Sequence, residues 1–308
     1  MKATGANATL EPLLSPSTER KQNYGNSQIS VRAAIKLYAQ LVIRDNFNLT
    51  TWLLMGASLQ GLVVLIFPSS YVVIPPILML FYLLSKTILA TLGLIRNPGM
   101  DGVIAGKFSA LLPNRNGVFS GKAADQDVTL IILAARSNHP MGMFGPGYAA
   151  VDDYMKRMQT ELANNAVKYN YLGATTWMGT GERSTANQVM VATYFRTLED
   201  VHAYAHSPLH REAWEWWNKI TKSHPHLSIM HEVYQAPKNH WENIFINNHL
   251  TGIAATQSIF TTDGKSNDVE NMWINPVFDA SKGKLKTHKG RIEETEGDDH
   301  EKILDIQY

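Results

Sequence analysis

Val128-Thr-Leu-Ile-Ile-Leu-Ala-Ala135 is an uncharged, strongly apolar run of strand length,. Beyond it, residues 147–166 repeat apolar side chains at helical spacing through Val151, Tyr154, Met158 and Leu162,. Residues 171–178 read as a second strand and 179–187 as a polar turn,. Residues 188–195 alternate as a third strand, with Val189, Val191, Thr193 and Phe195 on one side,. Residues 198–223 are helical but interrupted at Ser207-Pro208, where Ser207 can cap a new helix that has Pro208 at its first position,. Residues 228–236 make a fourth strand. The order β-α-β-β-α-β predicts an α+β fold of the ferredoxin-like, split βαβ kind.

Upstream, the pattern changes character. Residues 52–67 form an uncharged apolar run, Pro68-Ser69-Ser70 a turn, and residues 71–95 a second apolar run broken only by Pro75-Pro76, Ser85 and Lys86. As helices, sixteen residues reach about 24 Å and twenty-five about 37 Å. A hydrocarbon core is about 30 Å thick. The 51–96 segment therefore reads as a membrane helical hairpin, with a hairpin buried in a soluble protein as the other reading. Arg32, Lys36 and Arg44 precede it and Arg96, Lys107 and Arg115 follow, with no charge in the turn. That asymmetry places both termini in the cytosol, with the endoplasmic reticulum as the default membrane. Residues 28–50 show an amphipathic pattern (Val31, Ile35, Tyr38, Val42) suited equally to a membrane interface and to an ordinary surface,. Residues 1–27 are polar and read as a disordered tail, 97–127 as a linker, 128–262 as the catalytic domain and 263–308 as a charged tail,. Residues 237–262 are expected to pack across the domain or its dimer mate.

Composition removes several function classes. The 308 residues carry 28 Lys+Arg against 27 Asp+Glu, without the basic excess of a nucleic-acid binder. No cysteine is present, so disulfides, thiolate metal sites, iron–sulfur clusters and a Cys nucleophile are excluded. The chain has no P-loop, no G-x-G-x-x-G of the right spacing, no H-E-x-x-H and no G-x-S-x-G,.

The segments Gly173-Ala-Thr-Thr-Trp177-Met-Gly179, Val191-Ala-Thr-Tyr194-Phe195-Arg196 through Tyr204, Ser207-Pro-Leu-His210-Arg211-Glu-Ala-Trp214, His231-Glu232-Val-Tyr234 and Trp241-Glu-Asn-Ile-Phe-Ile-Asn247 fall in order over about 130 residues. In that order and spacing they resemble the fungal and bacterial "monooxygenase family" domain of the dimeric α/β-barrel superfamily. This superfamily also holds antibiotic-biosynthesis monooxygenases and is related to haem-dependent aldoxime dehydratases. The resemblance implies a homodimer whose apolar sheet face is covered by the partner. It also implies a tailoring enzyme of secondary metabolism, with either no cofactor or haem. Asn248 stands where relatives tend to carry Met or another apolar residue.

Histidine density supplies the candidate chemistry, with six of the eleven between residues 202 and 231. His206 and His210 have a metal-compatible spacing, but Pro208 interrupts the helix between them. His224 and His226 read as solvated loop residues. His210 and His231 are the candidate bases, each within a family-like segment, and Asn247 the candidate oxyanion donor. His210 is also the candidate axial ligand should haem bind. Trp177, Tyr194, Trp214, Trp217 and Tyr234 are the candidate lining of a pocket for a flat hydrophobic substrate, although core or dimer packing explains the same aromatics. On the last strand, parity puts His231 with Val233 and Gln235, and Glu232 with Tyr234 on the reverse. A non-catalytic membrane-anchored binding protein is the third reading.

Overall fold

The computed structural model describes residues 11–18, 20, 23–24, 27–28, 40, 42–67, 69–181, 183–260 and 272–292. After a pair of two-residue strands (Asn23–Tyr24, Ser27–Gln28) and the helical residues 42–46 come two apolar helices, α1 (Leu49–Ile66) and α2 (Ile74–Thr91). Then follow β1 (Val103–Ala110), β2 (Val128–Ser137), α3 (Tyr148–Asn164), β3 (Tyr171–Met178) and β4 (Val189–Phe195). Next are α4 (Leu198–Ala205), α5 (Pro208–Ile220), β5 (Leu227–Ala236) and β6 (Phe245–His249). Three short strands end the series: β7 (Ser258–Phe260), β8 (Met272–Ile274) and β9 (Val277–Asp279).

The main sheet has the order β3-β4-β2-β5, antiparallel throughout. With two helical connections, this is the ferredoxin-like arrangement expected from the strand and helix pattern. Opposed residues in a ladder share a face. One face therefore carries Thr129, Ile131, Leu133 and Ala135 of β2, Val189, Val191, Thr193 and Phe195 of β4, and Ile229, His231, Val233 and Gln235 of β5. This is the helix side. Phe195 and Ile131 pack there with Leu162, Val201 and Tyr204, and Ala135 packs with Val151, Trp216 and Trp217.

The other face carries Leu130, Ile132, Tyr194 and Tyr234 and meets a second layer. That layer is a three-stranded sheet of order β9-β1-β6, with a buried turn over Gly252–Ala255. Phe108, Val277 and Phe278 are fully buried in it. Two expectations are corrected here. Residues 97–127 are more than a linker, because the alternation in 103–112 places Phe108, Ala110 and Leu112 in the core. Residues 272–292 are not an open tail, because β8 and β9 pair with β7 and β1 and Leu285 is buried. Charge density among Lys282 to Arg291 masked the apolar Trp273-Ile-Asn-Pro-Val-Phe278 before it.

Residues 11–18 and Arg20 also pack rather than trail. Pro12 bridges Phe278 and Ser17 bridges Trp273. Residues 1–10 and 293–308 lie outside the described residues, as does most of the amphipathic pattern of 28–50, of which residues 42–46 are helical.

Helices α1 and α2 are apolar, and none of the described residues covers them. Two spans, Leu49–Ile66 and Ser70–Thr91, are long and apolar enough to cross a membrane, and none of their length is buried against the protein. That burial pattern argues against a hairpin tucked inside a soluble core. Asn48 begins α1 as its cap, its Oδ1 accepting the Thr51 amide at 2.8 Å,.

Candidate functional site

Helix α5 is set by its first residues. Ser207 Oγ accepts the His210 amide at 3.3 Å and Pro208 occupies the first turn,. Glu212 and Trp216 tie one side of α5 to α3: Arg157 forks onto Glu212 at 3.1 and 3.2 Å, and the Tyr154 and Trp216 rings lie 5.1 Å apart. Arg157, first among the causes, holds the Glu212 carboxyl below its usual range. Toward the main sheet, Trp216, Trp217 and Ile220 of α5 pack beside Ala135 and Leu227, while His210 is half-buried and Trp214 exposed.

The edge strand β5 is left open on that side. Ile229 and Val233 turn toward the helices yet stay 41% and 37% exposed, and His231 between them is also exposed. An apolar strip therefore runs between α5 and β5, with half-buried Ile131 and Leu133 as floor and Trp214 at the rim. His210 comes from the helix wall and His231 from the strand.

The electrostatics of His210 are defined. Burial is the largest influence and pushes its imidazole below the ordinary histidine value; the charged forms of His231 and His206 push the same way,. A hydrogen bond to the Ala205 backbone and the charge of Glu161 oppose them. In its neutral form the imidazole keeps one ring nitrogen with its lone pair free.

The sheet divides the residues grouped from sequence. His210, His231, Trp214 and Trp217 lie on the helix side. Trp177, Tyr194 and Tyr234 lie on the reverse face. Tyr194 packs into the cluster of Phe108, Leu172 and Ile253, and burial raises its phenol pKa. Tyr234 donates to Glu232 at 2.6 Å, and that bond, ahead of the Glu232 charge, raises its pKa. Trp177 is 45% exposed.

Asn247 stands in the three-stranded sheet, not in the sheet that carries His231. Its backbone is left-handed (φ 47°) and its Oδ1 accepts the Gly106 amide at 2.8 Å, closing an irregularity in the β1–β6 ladder,. This is a structural duty for Oδ1, in a sheet other than the one that carries the candidate base His231. Among the described residues no group of three His, Asp or Glu side chains could hold a metal ion.

Two residues of the site escaped the sequence reading. Tyr204 on α4 is buried, its ring edge-on to His210 with centroids 6.0 Å apart. Glu161 on α3 has one carboxylate oxygen, Oε2, buried without a hydrogen bond. The available signal was positional: Glu161 follows Tyr154 and Met158 at helical spacing, so a carboxylate sits on the inward stripe.

Residues 128–253 match the family described as monooxygenase af470-like. Monooxygenase af470 of Aspergillus fumigatus is 26% identical over 287 residues, covering 92% of this chain and 98% of that protein. Among solved structures, an aldoxime dehydratase aligns with TM-score 0.33 and 12% identity over 47% of this chain and 42% of that one. SnoaB, a cofactor-independent oxygenase from Streptomyces nogalater, aligns with TM-score 0.23 and 12% identity over 35% of this chain and 91% of that one.

Proposed function

We propose that this chain, matched by the monooxygenase af470-like family, is a membrane-anchored monooxygenase of secondary metabolism that oxidises a hydrophobic, aromatic polyketide-like compound with a histidine base. The observation that carries the reading is His210: half-buried and biased toward its neutral form, it faces an apolar strip that also bears His231. A neutral imidazole with one free lone pair is a competent base near pH 7.

The chemistry balances without an external reductant. His210 takes a proton from a phenol-activated CH₂ group, and the electron pair stays on the substrate as a delocalised anion. Dioxygen accepts electrons from that anion and bonds to the carbon, and the resulting peroxide takes the proton back from His210 to become a hydroperoxide. Loss of water leaves a carbonyl: one oxygen atom stays, the other departs as water, and all four electrons come from the CH₂ carbon. Trp214 and Trp217 flank the base on the same stripe and offer flat apolar surface to the ring system.

Helices α1 and α2 would hold the domain at a membrane, in this reading the endoplasmic reticulum with both termini cytosolic, where such a substrate concentrates. The parts of the reverse sheet face that the second layer leaves exposed, with Trp177 and Tyr234, would meet a second copy of the chain. Haem is the alternative cofactor. His210 would hold its iron, since a half-buried imidazole biased toward its neutral form is the form that binds iron,. Haem would supply the redox or Lewis-acid centre, and His210 would then hold it.

Two measurements on the detergent-purified full chain test the proposal. With a phenolic methylene substrate under ¹⁸O₂, one labelled oxygen in the product and a fall of about 10²-fold or more in His210→Ala support the base role. Product without label overturns the oxygenase reading. A Soret band lost in His210→Ala moves haem ahead of cofactor-free chemistry.

A further inference from the structure

We propose that the loop of residues 140–144, between β2 and α3, is a further membrane contact that seats one end of the main sheet in the bilayer interface beside α1. The inference rests on α1 and α2 lying in a membrane.

Three side chains of this loop, Pro140, Met141 and Phe144, stand exposed, Met141 at 56% and Phe144 at 51%. They continue into the apolar helices. The Phe144 ring stacks on Phe47 with centroids 6.1 Å apart, and Phe47 meets Trp52 of α1 edge-on at 5.5 Å. Exposed Leu49 opens α1 beside them in the chain. The patch is therefore continuous with a span long and apolar enough to cross a bilayer. Aromatic side chains are the ones that membrane proteins place at headgroup level.

The backbone of the loop suits a dry setting. Each amide from Met141 to Gly145 already has a partner. Met141 donates to His139 Nδ1 at 3.1 Å, Gly142 to the His139 carbonyl at 2.8 Å and Met143 to Asn46 Oδ1 at 2.7 Å. Phe144 donates to the Met141 carbonyl at 3.1 Å and Gly145 to the Gly142 carbonyl at 3.0 Å. The indole Nε1 of Trp52 is likewise used, on the Arg44 carbonyl at 2.9 Å. A loop that spends none of these donors on water enters a low-dielectric layer without stranding one.

The depth of the loop is fixed by what holds it. Asn46 grips Met141 and Met143, and Asp45 grips Asn187, only a few residues before α1 begins. The loop is thus held at the level where α1 enters the bilayer. At this end of the sheet β2 finishes with Ser137, and Leu227, the first residue of β5, opposes it. Arg44, Lys219 in the last turn of α5 and Lys222 in the turn before β5 are exposed here and suit anionic headgroups,. His231 opposes Leu133, four residues back along β2 from Ser137. Along the strand this is about 13 Å, a short path from lipid to the apolar strip.

The chain has no cysteine, so one introduced thiol carries one label. Full-length Met141→Cys, Phe144→Cys, Leu59→Cys and Lys238→Cys are each labelled with a nitroxide and reconstituted into vesicles of phosphatidylcholine and phosphatidylserine. Electron paramagnetic resonance then compares collisions with oxygen, which concentrates in lipid, and with a water-soluble nickel chelate. Leu59 on α1 is the lipid reference, and exposed Lys238, past the opposite end of β5, is the water reference. The expected oxygen-to-nickel ratio at Met141 and Phe144 is severalfold above that at Lys238 and below that at Leu59. A ratio at Met141 equal to that at Lys238 overturns the proposal. Screening from both reagents also overturns it, since protein would then cover the loop. A water-like ratio at Leu59 removes the membrane reading itself, whereas a lipid-like Leu59 with a water-like Met141 removes the loop contact alone. If Phe144→Cys unfolds for want of the Phe47 stack, Met141→Cys decides, because Met141 makes its loop bonds through the backbone.

Discussion

Asp45 grips Asn187 at both ends of the residue: Oδ2 accepts its backbone amide at 2.6 Å and Oδ1 its side-chain amide at 2.8 Å. The contact joins the segment just before α1 to the turn just before β4, so the base of the apolar hairpin is fastened to the main sheet. Asn46 adds a second fastening, accepting the Met143 amide at 2.7 Å and donating to the Met141 carbonyl at 3.2 Å. Asp45→Ala leaves two donors on a buried residue without partners and is expected to cost about 2 kcal/mol. Gly142→Ala attacks the neighbouring contact, because a Cβ there would come 2.0 Å from Asn46 Oδ1 on a backbone with φ of 57°. Thermal unfolding of both variants, with trypsin cleavage after exposed Arg44 as the local probe, checks this. A clasp that matters gives earlier melting and faster cutting in both, and wild-type behaviour in both would mean that the clasp contributes nothing.

Leu59 and Leu80 lie at the middle of α1 and α2 and are 65% and 69% exposed. Among the described residues none covers either helix, which leaves both faces to water or lipid. Patches this apolar are not left to water by monomeric soluble proteins. A charge at a bilayer centre costs roughly 2.5–3.5 kcal/mol per residue on insertion scales. Leu59→Arg together with Leu80→Arg is therefore expected to move the protein from the carbonate-resistant pellet to the supernatant, or to abolish its accumulation. A wild-type chain that carbonate releases on its own would end the membrane-anchor reading.

The four strands of the main sheet were legible because each lies in an apolar or alternating run with its own turn signals, and the helix break at Ser207-Pro208 because Pro removes a donor that a first turn does not need. The second sheet was not legible. Its strands β1, β6 and β9 are far apart in sequence, and two of them are short and sit beside charged or glycine-rich stretches, so neither length nor period announces them. For the site, parity along β5 separated His231 from Tyr234 correctly. Which aromatics share its face could not be read, because that depends on the β2–β4 register and on where the second sheet packs. Asn247 looked like a free polar side chain in a family-like segment. The left-handed backbone that makes it a bulge partner has no sequence signature distinct from any other Asn.

Arg20 illustrates the same limit in the amino-terminal segment. Its guanidinium lies 4.6 Å from the Tyr171 ring and 4.9 Å from the Trp273 ring, and donates to the carbonyls of Ala163, Tyr171 and Leu172 at 3.3, 3.2 and 2.9 Å. Burial pulls its pKa down to about 10, which still leaves it charged at neutral pH. Arg20→Ala leaves carbonyls without donors and two ring faces bare, and should cost about 2–3 kcal/mol in urea unfolding. Arg20→Lys should recover less than half, since an ammonium cannot reproduce the planar fork. Full recovery by Lys would show that charge alone matters at this position.

His210 makes stability depend on pH in a fixed direction. Burial lowers its folded pKa below the unfolded value of about 6.5,. Between the two values the unfolded chain binds more protons than the folded one, so stability rises with pH across that window. The contribution is fully present above about pH 6.5 and is lost as acid carries the pH down through the folded pKa. On lowering the pH from 7.5 to 5, the wild-type chain should therefore lose more melting temperature than His210→Gln, which cannot titrate. The opposing influence of Glu161 limits that loss, so Glu161→Gln should steepen the acid dependence further, and Glu161→Gln combined with His210→Gln should abolish the steepening. Parallel melting curves for wild type and His210→Gln across this range would mean that the folded and unfolded pKa values coincide. The neutral, desolvated imidazole on which the base chemistry depends would then be absent.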